Sequence, residues 1–164
     1  MPAARSPCRT SSLSAVRFEL VELQAEDTHA LRRAVLRTGT PSDDVVFDGD
    51  ELDTTFHLGM RAADGELLAI SSWVERPYPD RPGDLAFQLR GMATVEALRG
   101  EGLGARLLAA GIERCRAAGA VLVWARARDA ALPFYARHGF TTIGLGYVDL
   151  TTALSHHDVI REIA

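Results

Sequence analysis

The sequence predicts one α/β domain with a mixed, largely antiparallel sheet of six to seven strands flanked by helices. Its 164 residues suit a single domain that is large enough to bury a core. The apolar segments are mostly short and bounded by turn residues, as expected of strands, and a helical period occurs in three places. Only one of these helical segments makes a clear crossover between two strands, so most of the sheet should be antiparallel.

Two elements open the predicted domain. Residues 16–23 mostly alternate between polar and apolar side chains and therefore predict a strand. Residues 26–36 predict a helix whose inward face carries Leu31, Ala34 and Val35.

A hairpin and two loops follow. Residues 54–61 and 66–75 predict two strands joined at Ala63-Asp64-Gly65, because Asp-Gly is a favoured hairpin turn. Residues 37–50 are rich in Gly, Pro and Asp, and residues 76–84 hold three prolines, so both segments predict loops.

The second half of the chain predicts a strand, a helix and a parallel strand. Residues 85–94 are expected to form the first strand, and residues 102–118 a helix that Gly119 is well placed to end. Residues 120–125 are expected to form a short buried strand beside the first. A last helix and a closing pair of strands are predicted at residues 129–138 and 139–163.

Composition narrows the class of protein. The net charge of −4 argues against a nucleic-acid partner, which needs a basic surface, and mildly favours a neutral or cationic substrate. No apolar run approaches 18 residues, so no membrane span is expected. Cys8 and Cys115 make no disulfide framework and suit the reducing cytoplasm, with Cys115 interpreted as a small core residue. Residues 1–15 lack any periodic pattern and predict a disordered leader before a domain at 16–164.

The glycine cluster at Gly100, Gly102 and Gly104 predicts a phosphate-binding loop. Without Cβ atoms the backbone can approach a ligand closely, and the helix that follows presents unpaired N–H groups and the positive end of its dipole. A Walker motif is excluded because the chain has no lysine. A dinucleotide fingerprint, Gly100-x-Gly102-x-x-Ala105, fits formally but does not follow its strand directly, and too little chain remains for a doubly wound sheet. A structural turn is the other alternative, since Gly111 indicates that this helix also contains a spare glycine.

With a second motif, the chain resembles the GNAT family of N-acetyltransferases. Arg99-x-x-Gly102-x-Gly104 matches that family's Q/R-x-x-G-x-G/A signature. About thirty residues later, Ala131-x-x-Phe134-Tyr135-x-x-x-Gly139-Phe140 matches its second signature. The order of elements over residues 16–164 also fits, and the resemblance implies a GNAT-like fold with a splayed central strand pair.

The resemblance implies acetyl-CoA as the acetyl donor. The pyrophosphate would lie on the amides of the glycine loop, and the arm of the cofactor would run along the strand end like an added strand. The implied coenzyme A contacts are Arg99, Gly100, Glu101, Gly102, Leu103, Gly104 and Ala105 in the loop and Met92, Ala93 and Thr94 on the strand. Tyr135 matches the family tyrosine that donates a proton to the leaving thiolate.

The acceptor side is less well defined by the sequence. An amine must lose a proton before it attacks a thioester, and Glu75 and His57 are candidate bases by chemistry alone. Gln88 and Arg90 are expected to share one strand face with Met92 and to line the acceptor cleft, with Arg90 as a clamp for a substrate carboxylate.

Other polar residues near the second motif are open to two interpretations. The segment 124–129 lacks an asparagine that many family members have there. Arg126 and Arg128 are expected to be solvated, with contact to a nucleotide phosphate as the alternative. His156 and His157 are adjacent and should point to opposite faces of a strand, and without an accompanying ligand set they predict no metal site.

The sequence therefore predicts a cytoplasmic, acetyl-CoA-dependent N-acetyltransferase. It would move an acetyl group to a primary amine of a small molecule or peptide by direct transfer in a ternary complex. Family members often pair, so a homodimer is an open expectation. The alternative is a non-catalytic acyl-CoA-binding or regulatory module on the same fold.

Overall fold

The computed structural model describes residues 17–164, and within that range it contains a seven-stranded sheet with helices on both faces. Strands β1 to β7 are Glu19–Leu23, Phe56–Arg61, Leu67–Glu75, Ala86–Thr94, Leu122–Arg128, Thr141–Asp149 and Leu154–Glu162. The strand order is β1-β2-β3-β4-β5-β7-β6, and only the β4–β5 pair is parallel. The predicted mixed, largely antiparallel sheet is confirmed.

The helices lie on opposite faces of this sheet. Helix α1 consists of a 3-10 turn at Ala25–Thr28, an α-helical turn at His29–Leu31 and a π-helical stretch at Arg32–Leu36; α2 is Leu103–Ala117 and α3 is Leu132–Arg137. Helix α1 packs on a small cluster around Ile70, whereas α2 packs on the main core beside the neighbouring Ala69. Successive residues of a strand face opposite sides of the sheet, so β3 contributes side chains to the layers on both faces.

The predicted elements are present, with ends that differ by a few residues. The predicted leader, residues 1–15, and the start of the first predicted strand lie outside the described residues. The inward face of α1 differs from the prediction, because Ala34 is exposed and the Arg32 side chain is fully buried instead. A π-helical stretch has more residues per turn than an α-helix, which changes the side-chain spacing along the face.

The buried Arg32 guanidinium ties α1 and the loop before β2 to the sheet. It donates to both carboxylate oxygens of Asp50, at 2.6 and 2.9 Å, and also to Ser72 Oγ at 2.7 Å. Burial alone would raise the pKa of Asp50, but the bonds from Arg32 and from the Phe47 amide outweigh it and hold that pKa below its usual value. This ion pair fixes the loop beside the sheet.

Gly111 is not a spare glycine, contrary to the sequence-based interpretation. A Cβ on Gly111 would lie 1.9 Å from Cζ2 of Trp73, whose ring is fully buried. The missing side chain allows α2 to pack directly on β3. In the same layer Cys115 is fully buried, and burial raises the pKa of its thiol to about 12, which fits the predicted core role rather than a nucleophile.

None of the helices within residues 17–164 has the length and apolar character that crossing a membrane would require.

Candidate active site

Strands β4 and β5 separate before they end. Their parallel pairing stops at Leu89 and Ala125, after which β4 pairs only with β3 and β5 only with β7. Within residues 17–164 the backbone groups that face the gap have no partner strand, and they can bond an extended ligand. A cleft of about 220 Å³ opens there. The splayed strand pair implied by the family resemblance is therefore present.

A β-bulge at Gly91 sets the side-chain directions in the splayed half of β4. Arg90 pairs with Ser72 and Ala93 with Ile70, so β4 has one more residue than β3 between these two pairs. Gly91 has a φ of +58°, and a Cβ there would lie 3.1 Å from both the Arg32 Nε and the Phe47 ring. Glycine is needed at this point for its backbone conformation and for the close approach of these two side chains.

The bulge corrects the prediction that Gln88, Arg90 and Met92 share one face. Met92 packs with the core on the α2 side of the sheet. On the opposite side, Gln88 Oε1 accepts a bond from Arg76 at 2.7 Å, and Arg90 Nη1 donates to Asp48 O at 2.8 Å. All three predicted residues still contribute to the wall of the cleft.

The loop before α2 leaves a run of backbone amides without partners. Gly100 and Gly102 each have a φ of 85°, which glycine adopts without strain. The bond from Arg106 N to Gly102 O, at 3.1 Å, is the first of the helix. Among the described residues no backbone acceptor is bonded to the amides of Gly100, Gly102, Leu103, Gly104 and Ala105. These N–H groups and the helix dipole can together bind an anion such as a pyrophosphate.

The other predicted coenzyme A contacts follow Met92 in the chain, and of the ten only Met92 is part of the cleft wall. Ala93 is buried and Thr94 half-buried at the end of β4, where both pair with β3. Arg99 and Glu101 are exposed in the loop that comes next. A Cβ on Gly104 would lie 3.5 Å from the ring of Phe134, the neighbour of Tyr135.

Tyr135 on α3 forms part of the cleft wall. Its ring packs edge-on against Phe134 and Phe140, with centroid distances of 5.4 and 5.2 Å, so the ring belongs to the core. Its hydroxyl has no hydrogen-bond partner within residues 17–164, and burial raises the pKa of this phenol above its usual value. The hydroxyl therefore stays protonated at neutral pH and can donate a hydrogen bond into the cleft.

The two adjacent histidines have different surroundings, and only His156 lies in the cleft wall. His157 Nδ1 instead bonds Asp129 Oδ1 at 2.7 Å. His156 Nδ1 lies 2.9 Å from Leu154 O, and because a carbonyl only accepts, Nδ1 must carry the proton. In the neutral ring Nε2 then keeps a lone pair, and it has no partner among the described residues. His156 is thus equipped to accept a proton.

The two bases suggested by the sequence are not in the cleft. His57 is buried, with Nδ1 2.7 Å from Ser72 Oγ and Nε2 3.1 Å from Asp50 O, so both ring nitrogens are engaged. Glu75 is exposed and pairs across from Phe87, in the half of β4 that remains joined to β5. Neither side chain forms part of the cleft wall.

The two arginines of β5 both reach the cleft. Arg128 is not the solvated residue that we expected, because it is half-buried and its Nη2 donates to Leu36 O at 2.6 Å. Burial, with repulsion from Arg37, lowers the pKa of its guanidinium. Arg126 is exposed, as expected, at the open edge of the same strand.

Sequence reasoning missed the part of the cleft that comes from loops. Arg37 and Phe47 reach it from the loop before β2, and Asp149 and Thr152 from the turn between β6 and β7. Asp149 Oδ1 accepts bonds from the Thr151 and Thr152 amides at 2.9 and 3.0 Å. An aspartate followed by polar residues signals only such a turn, so no local pattern indicated that these residues meet.

Comparisons with known proteins agree with the fold. The family model of the acetyltransferase (GNAT) domain matches residues 62–142. The uncharacterized N-acetyltransferase YitI of Bacillus subtilis (strain 168) is 30% identical over 127 residues, which cover 77% of this chain and 85% of that protein.

Solved structures show the same fold at lower identity. Escherichia coli ElaA has a TM-score of 0.71 and 22% identity, over 89% of this chain and 100% of that one. An acyl-CoA N-acyltransferase from Pseudomonas aeruginosa has a TM-score of 0.70 and 22% identity, over 88% and 99%. The fold and the family match define an acetyltransferase domain. The chain belongs to the GNAT acetyltransferase family.

Proposed function

We propose that this chain transfers an acetyl group from acetyl-CoA to the primary amine of a small molecule or peptide, by direct transfer in a ternary complex. The observation that carries the proposal is the combination of an anion-binding loop with a splayed strand pair. The loop with unpaired amides follows the free end of β4 in the chain, and Tyr135 forms part of the wall of the cleft that opens where β4 and β5 separate. A ligand with phosphates at one end and a thioester at the other fits such a site.

The donor would be held largely by backbone groups. The unpaired amides of Gly100 and of residues 102–105 would bond the pyrophosphate, at roughly 1.5–3 kcal/mol for each hydrogen bond to a charged group. The arm would pair with the free edge of β4 at Met92, Ala93 and Thr94, as a peptide adds to a sheet edge. Arg99, exposed in the loop, would add a cation near the phosphates.

Transfer requires two proton movements. The amine nitrogen bonds to the carbonyl carbon as the carbon–sulfur bond breaks, the nitrogen loses a proton, and the departing thiolate gains one. An alkyl ammonium has an ordinary pKa near 10.4, so its deprotonation at pH 7 costs about 4–5 kcal/mol. A base and a hydrogen-bond donor in the cleft would therefore both accelerate the reaction.

Tyr135 and His156 have the chemistry for these two roles. Tyr135 would donate its free hydroxyl proton toward the developing thiolate. His156 Nε2 would accept the amine proton, and imidazole takes up and releases protons near neutral pH. Burial alone would raise the pKa of Asp149, but the Thr152 amide and His156 outweigh it and lower that pKa, so a carboxylate beside His156 would stabilise the imidazolium.

The proposal also covers the cellular location and the partners of the protein. Cys115 is the one free cysteine among the described residues, which suits the reducing cytoplasm. The partner would be the amine substrate rather than a nucleic acid or a membrane. Analytical ultracentrifugation would decide whether the chain is a homodimer.

The proposal is tested by incubating the protein with acetyl-CoA and a broad amine panel and following the release of free thiol. The panel should cover amino acids, polyamines, aminoglycosides and peptide N-termini. We expect release with at least one class, together with an acetylated product by mass spectrometry. Tight coenzyme A binding without release from any amine would instead indicate a non-catalytic module.

The role of Tyr135 is tested by Tyr135→Phe, which keeps the ring and removes the hydroxyl. We expect kcat to fall by about 10²- to 10⁴-fold, because one proton donor is lost in the transition state. The affinity for coenzyme A and the midpoint of thermal unfolding should stay within error of the wild type. Unchanged turnover would remove Tyr135 from the reaction.

A further inference from the structure

The cleft carries a strong positive charge. Its wall contains four arginines, one aspartate and one histidine among the described residues. This is the opposite of what the net charge of −4 suggested, so the expectation of a neutral or cationic substrate does not fit the local field. The arginines are Arg37, Arg90, Arg126 and Arg128, and the aspartate is Asp149.

The carboxylates near this wall are already engaged elsewhere. Asp50 is bonded by both terminal nitrogens of Arg32. Asp158 accepts bonds from the Tyr78 and Tyr147 hydroxyls at 3.1 and 2.7 Å. In addition, Asp48 pairs with Arg76 and Asp149 is held by the amides of its turn. Among the described residues, therefore, no carboxylate lies within hydrogen-bond distance of the cleft arginines.

Arg90 is held in position without being neutralised. Its Nη1 donates to the Asp48 carbonyl, and its guanidinium lies 5.1 Å from the centre of the Phe47 ring. Burial lowers the pKa of this guanidinium, and repulsion from Arg76 and Arg126 lowers it further against the attraction of Asp50. A ligand anion would offset this repulsion.

Arg126 lies across the gap from Arg90, at the open edge of β5. Its guanidinium lies 6.0 Å from the centre of the Trp124 ring and makes no hydrogen bond or ion pair within the described part of the chain. Asp158 is its cross-strand neighbour on β7, but the bonds from two tyrosine hydroxyls occupy that carboxylate. The Arg126 guanidinium fork is therefore open to an incoming carboxylate.

The cleft arginines form two groups with different surroundings. Arg128 interacts electrostatically with Arg37 and with Arg99, which belongs to the loop before α2. Arg90 and Arg126 each follow directly the last paired residues of β4 and β5, Leu89 and Ala125, where the two strands begin to separate. Arg128 ends β5, and because β4 and β5 are parallel, it lies at the same end of the sheet as the loop that follows β4. Arg128 is therefore the cleft arginine nearer to the donor phosphates, whereas Arg90 and Arg126 lie where the strands part, and we assign them to the acceptor.

The size of the cleft limits what can bind there. Its volume of about 220 Å³ is below the range of roughly 300–1,000 Å³ that is usual for drug-sized ligands. We propose that the acceptor is a small amine that also carries a carboxylate, and that Arg90 and Arg126 bind this carboxylate while the amine faces the thioester. This inference rests on the proposed acetyl transfer and names its substrate class.

The test compares acceptors that differ only in charge. Thiol release from acetyl-CoA would be measured with several amino acids and with the carboxamide of each, at equal concentrations of free amine, and with phosphoethanolamine. We expect kcat/KM to be about 10- to 100-fold higher for the acid of each pair, as for the loss of a hydrogen bond to a charged group. In Arg126→Gln we expect kcat/KM for the acid to fall to the value for its amide, mainly because KM rises. The kcat/KM for the amide should stay unchanged.

Arg61→Gln is the matched control, since it removes an arginine at the far end of β2, outside the cleft. This variant should leave kcat/KM unchanged for both the acid and its amide. Equal rates for acid and amide, or an equal loss of both in Arg126→Gln, would overturn the carboxylate assignment, as would a preference for phosphoethanolamine. Weaker coenzyme A binding in Arg126→Gln would show that this residue binds the donor instead. Absence of thiol release with every amine would overturn the proposed transferase activity itself.

Discussion

Replacing Gly102 with alanine separates the anion-binding role of the glycine loop from its role in folding. Gly102 has a φ of +85°, yet a Cβ built on it meets no atom within 4 Å. The substitution therefore adds no clash and acts only through backbone conformation. Gly65, in the β2–β3 turn, is the matched control, because it has a φ of +91° and is equally open.

The magnitudes for the two sites follow from this geometry. An L-residue in the left-handed region costs about 1–2 kcal/mol, so both variants should lose a similar amount of stability. At Gly102 the loop can relieve that cost by turning, which moves the Gly102 and Leu103 amides away from the pyrophosphate. Loss of one or two hydrogen bonds to a charged group, at roughly 1.5–3 kcal/mol each, corresponds to a weakening of about 10-fold or more.

The assay is calorimetric titration of coenzyme A into both variants, together with urea unfolding. We expect Gly102→Ala to raise the Kd by about 10- to 100-fold, and Gly65→Ala to leave it unchanged despite a similar loss of unfolding free energy. Wild-type affinity in Gly102→Ala would refute the assignment of these amides to the phosphates. Equal weakening in both variants would show that general destabilisation, not the loop, controls binding.

Two further predictions concern the base and the buried ion pair. His156→Gln should lower kcat while leaving coenzyme A affinity unchanged; a kcat equal to that of the wild type would exclude His156 as the base. Asp50→Asn should destabilise the fold by about 3–5 kcal/mol at pH 7, because it leaves the Arg32 charge buried without a partner. Since the pKa of Asp50 is lowered in the folded state, its contribution is fully present above its unfolded pKa of about 3.9 and is lost as the pH falls below that value. The difference between Asp50→Asn and the wild type in urea unfolding should therefore shrink below about pH 4, and a difference that is constant with pH would contradict this account.

Local signals in the sequence predicted much of the fold and the donor side of the site. The Asp64-Gly65 turn and the alternation on either side of it suffice for the β2–β3 hairpin. The glycine loop and the residues around Tyr135 are likewise short motifs that act through their own backbone. Each of these features depends on residues that are close together in the chain, so it can be predicted from the sequence without knowledge of the tertiary structure.

The remaining features depend on residues that are distant in the chain. The bulge at Gly91 reverses the face of Met92, and nothing in the alternation of 85–94 indicates it. Burial of Arg32 depends on Asp50 and Ser72, the latter 40 positions away. The meeting of Arg90 with Arg126 across the splayed strands likewise follows from topology, so the charge of the whole chain was a poor guide to the charge of the cleft.

The most direct test of the central claim is a crystal structure of the protein with coenzyme A. We predict that the pyrophosphate accepts hydrogen bonds from the unpaired amides of Gly100 and of residues 102–105. We also predict that the arm runs along the free edge of β4 and that the sulfur lies within hydrogen-bond distance of the Tyr135 hydroxyl. Coenzyme A bound elsewhere, or with its sulfur outside the cleft between β4 and β5, would contradict this prediction.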